Sequence, residues 1–395
     1  MIMKAEAKTT IAKLAAALIT STALCTAALA EEVKIGMVVT LSGPPAALGQ
    51  QIVDGFQLAL DQNDGKLGGQ DVTLIVEDDE LKPDVALLKA KSLVERDEVD
   101  FVVGTVFSNM LQAIFKPVIQ SDTFLISPNA GPSTFAGKNC NPYFFVTSYQ
   151  NNQNAEVSGM IANEEGFEKV VLMVPNYQAG RDNVAGYKQT FKGTVADEIF
   201  TPLGHQDFSS ELAQISTSGA NALFTFMPGG MGVRLVKQFE AAGLGDSIEF
   251  TSVFTTDETT LPGQQDAAVG FLSAGAWAPD MKNDANQAFV SAFEEKYGYV
   301  PGSYAAQSYD TANLIASALE KTGGDMSDKD ATRAALEAAD FTSVRGSFAF
   351  SNNHYPVQDF HLLEVAKRDD GKFWTTAKRT VVTDYADSFH AECKM

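Results

Sequence analysis

The chain has 395 residues, 29 Lys and Arg against 50 Asp and Glu, and a formal net charge of −21. Acidity on this scale excludes the basic footprint that nucleic-acid binding needs. The length exceeds one average domain, so two units are expected.

In chain order, the first 30 residues read as a secretory signal peptide. Lys4, Lys8 and Lys13 give a basic start, Leu14 to Leu24 is a short apolar run, and Ala28-Leu29-Ala30 supplies the small residues before cleavage after Ala30. A lipoprotein signal at Cys25 is the runner-up, with Thr22-Ala23-Leu24 as the wrong lead-in. Cleavage removes Lys4, Lys8, Lys13 and Glu6, a net of +2, so −21 becomes −23. No later stretch approaches the ~20 apolar residues of a membrane span, so a soluble, periplasmic mature chain is expected. Two cysteines remain, Cys140 and Cys393. An even count in an exported chain favours a disulfide over two free thiols, tying the C-terminal tail to the loop near residue 140.

Val33 to Leu41 reads as a strand, and Gln50 to Asn63 as a helix with Ile52, Phe56, Ala59 and Leu60 on one face. Strands follow at Val72–Val76, Val99–Gly104, Thr123–Ser127 and Tyr143–Thr147, with helices from Pro83 to Arg96 and from Ser108 to Val118. A second alternating series then begins. Strands at Lys169–Val174, Val195–Phe200, Asn221–Phe226, Ile248–Ser252 and Phe271–Ala276 are separated by helices at 152–165, 180–191, 209–216 and 230–242. Three helices at 283–297, 303–322 and 327–339 precede strands at 346–350, 359–366 and 373–380. Alternation of this kind gives an α/β fold with two parallel sheets. In such sheets ligands sit at the carboxyl ends of strands. Ser108 and Asn109 follow one strand end, and Ser127 to Gly131 follow the next.

Motifs for catalysis are absent. His205, His354, His361 and His390 have no metal spacing, and neither a zinc-hydrolase motif nor a nucleophile elbow nor a phosphate-binding glycine loop occurs. The run Glu77 to Glu80 lacks the spaced ligands of a calcium loop and reads as a solvated strand end. No enzyme activity, cofactor or metal is expected.

Several motifs, in order, carry a resemblance through residues 31–395. They are Ile35-Gly36 with Leu41-Ser42-Gly43-Pro44, Val103-Gly104 before Ser108, Ile126-Ser127-Pro128, and Glu240-Ala241-Ala242-Gly243. The chain resembles the type I periplasmic solute-binding proteins of the branched-chain amino acid (leucine/isoleucine/valine) ABC transporter family. Residues Asn176 to Asp182, Met227 to Gly232 and the ending Glu392-Cys393-Lys394-Met395 bring it closest to members that take up aromatic carboxylates. The resemblance implies two Rossmann-like lobes joined by a three-strand hinge. Lobe one would take 31–149 plus 278–350, and lobe two 150–277 plus 351–395. It also implies a monomer that closes on a small organic anion and delivers it to the membrane permease subunits of an ABC importer.

The resemblance places the ligand carboxylate at Ser108, with Phe107, Asn109, Asn129, Ala130 and the Gly131 amide beside it. Ser108 serves equally well as a helix N-cap. Tyr149, Tyr177 and Tyr304 are expected to supply ring faces and hydroxyls, Leu48 to close the mouth, and Ala179 and Met227 to stand where amino-acid binders carry tyrosines. Arg181 can reach a carboxylate or pair with Asp182 on the surface. Phe254 falls about where amino-acid binders place the acid that pairs with the ligand ammonium. A buried ammonium without a partner costs several kcal/mol, so a ligand lacking an amine is favoured, such as a benzoate or phenylpropanoid acid. The alternative is a branched-chain amino acid held through Asp257 or Glu258. A receptor-presenting sensor and a hydrolase stand further back, without supporting motifs.

Overall fold

The computed structural model describes residues 32–395, so the expected signal peptide lies outside the described residues. Successive elements are β1 (Val33–Val39), α1 (Ala46–Gln62), β2 (Lys66–Leu67), β3 (Gln70–Asp78), α2 (Pro83–Glu95), β4 (Phe101–Gly104), α3 (Ser108–Gln120), β5 (Phe124–Ser127) and β6 (Phe144–Val146). They build a six-stranded sheet of order β2-β3-β1-β4-β5-β6, parallel except for the short β2. Every residue of β4, β5 and β6 is buried, as expected of apolar runs covered on both faces.

The second series is α4 (Asn151–Glu164), β7 (Lys169–Pro175), α5 (Gln178–Thr190), β8 (Thr194–Thr201), α6 (Ser209–Thr217), β9 (Ala222–Thr225), α7 (Gly230–Ala241), β10 (Glu249–Ser252), α8 (Leu261–Gln264) and β11 (Leu272–Gly275). Then come α9 (Asp284–Tyr297), α10 (Ser303–Thr322), α11 (Lys329–Glu337), β12 (Ala349–Phe350), β13 (Pro356–Lys367) and β14 (Phe373–Tyr385). The second sheet runs β12-β13-β11-β10-β9-β7-β8, with β14 added antiparallel on β13. The fold is α/β with two mostly parallel sheets. No helix among the described residues is long and apolar enough to cross a membrane.

Local chemistry sets most boundaries. Pro83 opens α2, where its missing N–H costs nothing. Gly298 ends α9 in the left-handed conformation. Helix α1 begins at Ala46, four residues before the expected Gln50, because Pro45 already serves as its N-cap residue. Ser108 is not a cap: Phe107 holds the N-cap position of α3 and no side chain caps that helix. Helix α10 packs along α1 so closely that a Cβ on Gly55 would stand 2.2 Å from the Ala305 carbonyl oxygen. The returning helices therefore cover the first sheet, while β13 and β14 extend the second.

The chain leaves the first sheet after β6, returns to its side after β11, where α10 packs on α1, and rejoins the second sheet at β12 and β13. The turn between those two strands lies beside β6, where the Val146 amide donates to the His354 carbonyl at 3.0 Å. The tail closes back on the first sheet's side through a disulfide between Cys140 and Cys393, whose Cα atoms lie 5.7 Å apart. Asn352 Nδ2 donates to the His390 carbonyl at 3.1 Å, and Asn353 Nδ2 to Ala136 O at 2.8 Å and to Asp387 Oδ2 at 2.9 Å. The tail thus docks on the turn between β12 and β13.

Candidate functional site

The carboxyl ends of strands from both sheets converge on one chamber. Leu48 follows β1, Val106 to Ser108 follow β4, Asn129 and Ala130 follow β5, and Tyr149 follows β6. From the other side come Tyr177 and Ala179 after β7, Phe226 and Pro228 after β9, and Phe254 after β10. Tyr304 of α10, Asn151 and Asn154 of α4, and Asn183 of α5 complete the lining. The cavity between these walls is small, about 10 Å³, so a ligand ring needs the two sides to part. Its walls meet across the gap: Gly230 packs on Pro44, and Gly229 on Pro45 and Leu48.

Aromatic rings form the body of the chamber. Phe254 stacks on Tyr149 at 5.1 Å and lies 5.7 Å from Tyr304, with Phe226 at 6.4 Å edge-on. Phe107 meets Tyr177 at 6.0 Å from the opposite sheet. Phe254 adopts a left-handed backbone (φ 51°), which costs on the order of 1 kcal/mol or more in a bulky residue. That conformation accompanies the ring's position in the cleft.

The polar groups are neutral. No Asp, Glu, Lys, Arg or His lines the chamber among the described residues. Positive potential comes instead from helix ends. Helices α3 and α5, each of 13 residues, both begin at the chamber, and neither has a side-chain cap. The first amides of each have no intrahelical acceptor, and their dipoles favour an anion. Ser108 Oγ accepts from Asn151 Nδ2 at 3.1 Å, which leaves its own proton to donate.

The other residues expected to hold the carboxylate are already engaged. Asn129 Nδ2 donates to Val106 O at 2.6 Å, and its Oδ1 accepts from the Tyr149 hydroxyl at 3.0 Å. Asn129 therefore braces the loop and fixes Tyr149. Gly131 lies off the lining: its amide donates to Asn151 Oδ1 at 3.2 Å. A Cβ there would sit 1.8 Å from the Tyr149 carbonyl oxygen, so glycine is required for packing. Asn109 also lies off the lining, since one step along a helix turns a side chain by about 100°.

Two further expectations need correction. Arg181 is exposed and donates to Asn176 Oδ1 at 3.2 Å, reaching neither the chamber nor Asp182. Asp182 turns inward instead, accepting from the Ser133 amide at 3.1 Å, the Ser133 hydroxyl at 2.6 Å, Asn151 Nδ2 at 2.9 Å and Gln178 Nε2 at 2.8 Å. That carboxylate joins α5 to the loop after β5. Met227 is buried in the second sheet's core, its sulfur 4.0 Å from Thr201 Oγ1. Successive residues at a strand end point to opposite faces, so its neighbour Phe226 lines the chamber in its place.

The two acids weighed as ammonium partners separate. Glu258 accepts from the Thr375 amide at 2.8 Å and the Thr375 hydroxyl at 2.7 Å. It borders a different groove, with Gln51, Tyr299 and Phe373. Asp257 is nearer. Its Oδ1 takes the Thr259 amide at 2.8 Å while its buried Oδ2 has no partner. After burial itself, the Asp257 charge is the next influence holding the Tyr149 and Tyr304 hydroxyls protonated far above their usual range.

Burial pushes the Asp257 carboxyl up to about 6. A folded-state value above the unfolded one means that ionising this group opposes folding. Its penalty is absent below pH ~4, grows as pH rises, and is complete above pH ~6. We predict that Asp257→Asn stabilises the protein by ~1–3 kcal/mol at pH 8 and by almost nothing at pH 4. Urea unfolding at the two pH values measures this. Equal effects at both would contradict the burial account.

Sequence reasoning missed Val106, Asn151, Asn154, Asn183, Phe226 and Pro228. The run Asn151-Asn152-Gln153-Asn154 carried a signal: four consecutive amides opening a helix, all buried.

Comparison with known proteins gives concordant matches. A model of the periplasmic binding protein family matches residues 32–372. A "Leu/Ile/Val-binding protein homolog 6" of Brucella melitensis is 29% identical over 367 residues, covering 90% of this chain and 93% of that protein. An ABC transporter solute-binding protein from R. palustris, solved in complex with benzoate, is 31% identical, with a TM-score of 0.87 over 92% of this chain and 100% of its own. Another from R. palustris, in complex with 4-hydroxybenzoate, is 27% identical, with a TM-score of 0.84 over 90% of this chain and 98% of its own.

Proposed function

The chain belongs to the periplasmic binding protein family, and within it we propose that this protein captures a small aromatic carboxylate for an ABC importer. The observation that carries this reading is a chamber walled by aromatic rings, free of charged side chains, with two uncapped helix N-termini opening onto it. An anion with a flat apolar body suits both features. The carboxylate would lie at Ser108 and the first amides of α3 and α5, and the ring between Phe107, Tyr149, Tyr177 and Phe254. Charge-assisted bonds of this kind contribute ~1.5–3 kcal/mol each. The benzoate and 4-hydroxybenzoate bound by the R. palustris proteins support the ligand class.

The mechanism is a shift between open and closed forms. One lobe is built on the first sheet with the helices α9 to α11, and the other on the second sheet with β12 to β14. Ligand contacts come from both lobes, so only the closed form makes all of them, and binding favours it. The closed form is the state offered to the permease subunits. Export to the periplasm through the N-terminal signal places the protein where it would meet both ligand and permease.

A thermal-shift screen tests the ligand class. Benzoate-type acids at a hundredfold excess over Kd are expected to add ~2.7 kcal/mol of stability, with no shift from leucine. A shift with leucine and none with any aromatic acid would overturn the reading. One observation favours the second reading, an amino acid. The unpartnered Asp257 Oδ2 lies close enough to Tyr149 and Tyr304 to influence both.

A further inference from the structure

Resting on the aromatic-acid reading, we infer that Asn154 and Asn183 read a hydroxyl on the ligand ring, para to the carboxylate. Both residues line the chamber and both are at least nine-tenths buried, 2% and 4% exposed. Neither amide is satisfied. Asn154 Nδ2 and Asn183 Oδ1 are buried without hydrogen-bond partners. The Asn183 assignment is fixed from within its own helix, since Nδ2 donates to Ala179 O at 2.8 Å and leaves Oδ1 as the free end. The pair therefore presents one spare donor and one spare acceptor. Orphaned buried amide groups are costly, and a ligand that pairs with them recovers that cost.

A hydroxyl is the small group that answers both at once. It accepts from Asn154 Nδ2 and donates its proton to Asn183 Oδ1. A methyl group answers neither, and a second carboxylate cannot donate. The spacing selects the para position. Asn154 lies one turn along α4 from Asn151, which holds Ser108. Asn183 lies one turn along α5 from Ala179, at the anion end. One turn is about 5.4 Å, the separation of a carboxyl carbon from a para oxygen across a benzene ring. On this spacing a ring whose carboxylate lies at the helix ends would present a para hydroxyl to the two amides. Sites built to hydrogen-bond a substrate hydroxyl reject the analogue lacking it far more strongly than apolar pockets reject a missing methylene.

The test is isothermal titration of the full protein, unfolded, dialysed and refolded, with benzoate, 4-hydroxybenzoate and 4-methylbenzoate. The expected result is 4-hydroxybenzoate binding at least ~10-fold tighter than 4-methylbenzoate. Asn154→Leu and Asn183→Leu should each bring that ratio toward one. If all three acids bind alike, the aromatic-acid reading stands and the hydroxyl reader falls. A folded variant that keeps the wild-type ratio also overturns it. If none of the three binds, the aromatic-acid reading fails and takes this inference with it. Should both variants fail to fold, the wild-type series alone decides.

Discussion

Replacing Arg345 with methionine is expected to lower the unfolding free energy by ~3–5 kcal/mol. Arg345 and Asp310 form the most deeply buried ion pair among the described residues, their side chains 1% and 0% exposed. Arg345 Nε and Nη2 donate to Asp310 Oδ2 at 3.1 and 3.0 Å. The same carboxylate takes the Ser343 hydroxyl at 2.6 Å and the Val344 amide at 3.1 Å. Arg345 Nη1 continues to Ser148 O at 3.1 Å and Gln358 Oε1 at 2.8 Å. The guanidinium therefore ties α10 to the segment after β6 and to β13.

The pair is not a free gain. Burial outweighs pairing at both partners, holding the Asp310 carboxyl above its ordinary range and the Arg345 guanidinium below its own. Removing one partner leaves the other charge buried alone, and that is the source of the large effect. Removing both should restore much of the loss. Urea unfolding of Arg345→Met, Asp310→Leu and the double variant measures all three. Additive losses in the double variant would contradict the pairing argument, because residues in one network must couple.

Breaking the disulfide is the second large effect. The Cys140–Cys393 bond spans 253 residues. Constraint of the unfolded chain over a loop of this size is worth up to ~5 kcal/mol in the chain-entropy model, with 2–4 typical. The double variant Cys140→Ser/Cys393→Ser should melt several degrees below the parent. Reductant should shift the parent by a similar amount and leave the variant unmoved. The tail keeps its hydrogen bonds to Asn352 and Asn353, so the second sheet is expected to stay intact. An unchanged midpoint in reductant would show that docking of the tail, rather than its covalent tie, carries the stability.

Much of this architecture could be read from composition and period. The runs Phe101-Val102-Val103 and Phe124-Leu125-Ile126 are too short for helices and too apolar for an exposed sheet, and both are fully buried strands. Pro83, Gly243 and Gly298 mark helix ends because their backbone chemistry allows little else. The disulfide followed from an even cysteine count in a chain expected to be exported. Side-chain direction was harder. The α5 helix was expected from Gly180, whereas it starts at Gln178. Asn183 then shares the chamber face with Ala179, and Arg181 turns to solvent. Phe226 and Met227 exchange roles for the same reason at a strand end. The chamber's amides come from α4 and α5, which pack together, and no local pattern reports such a contact. Ser108 was found through its place after a strand. That its hydroxyl leaves the helix uncapped and bonds Asn151 instead is a tertiary fact.

Isothermal titration of ligand-free protein with benzoate and leucine, side by side, tests the central claim most directly. The account predicts saturable binding of benzoate that weakens by ~10-fold or more in Ser108→Ala, and no heat with leucine. Binding of leucine that is lost in Asp257→Asn, with no heat from benzoate, would contradict it.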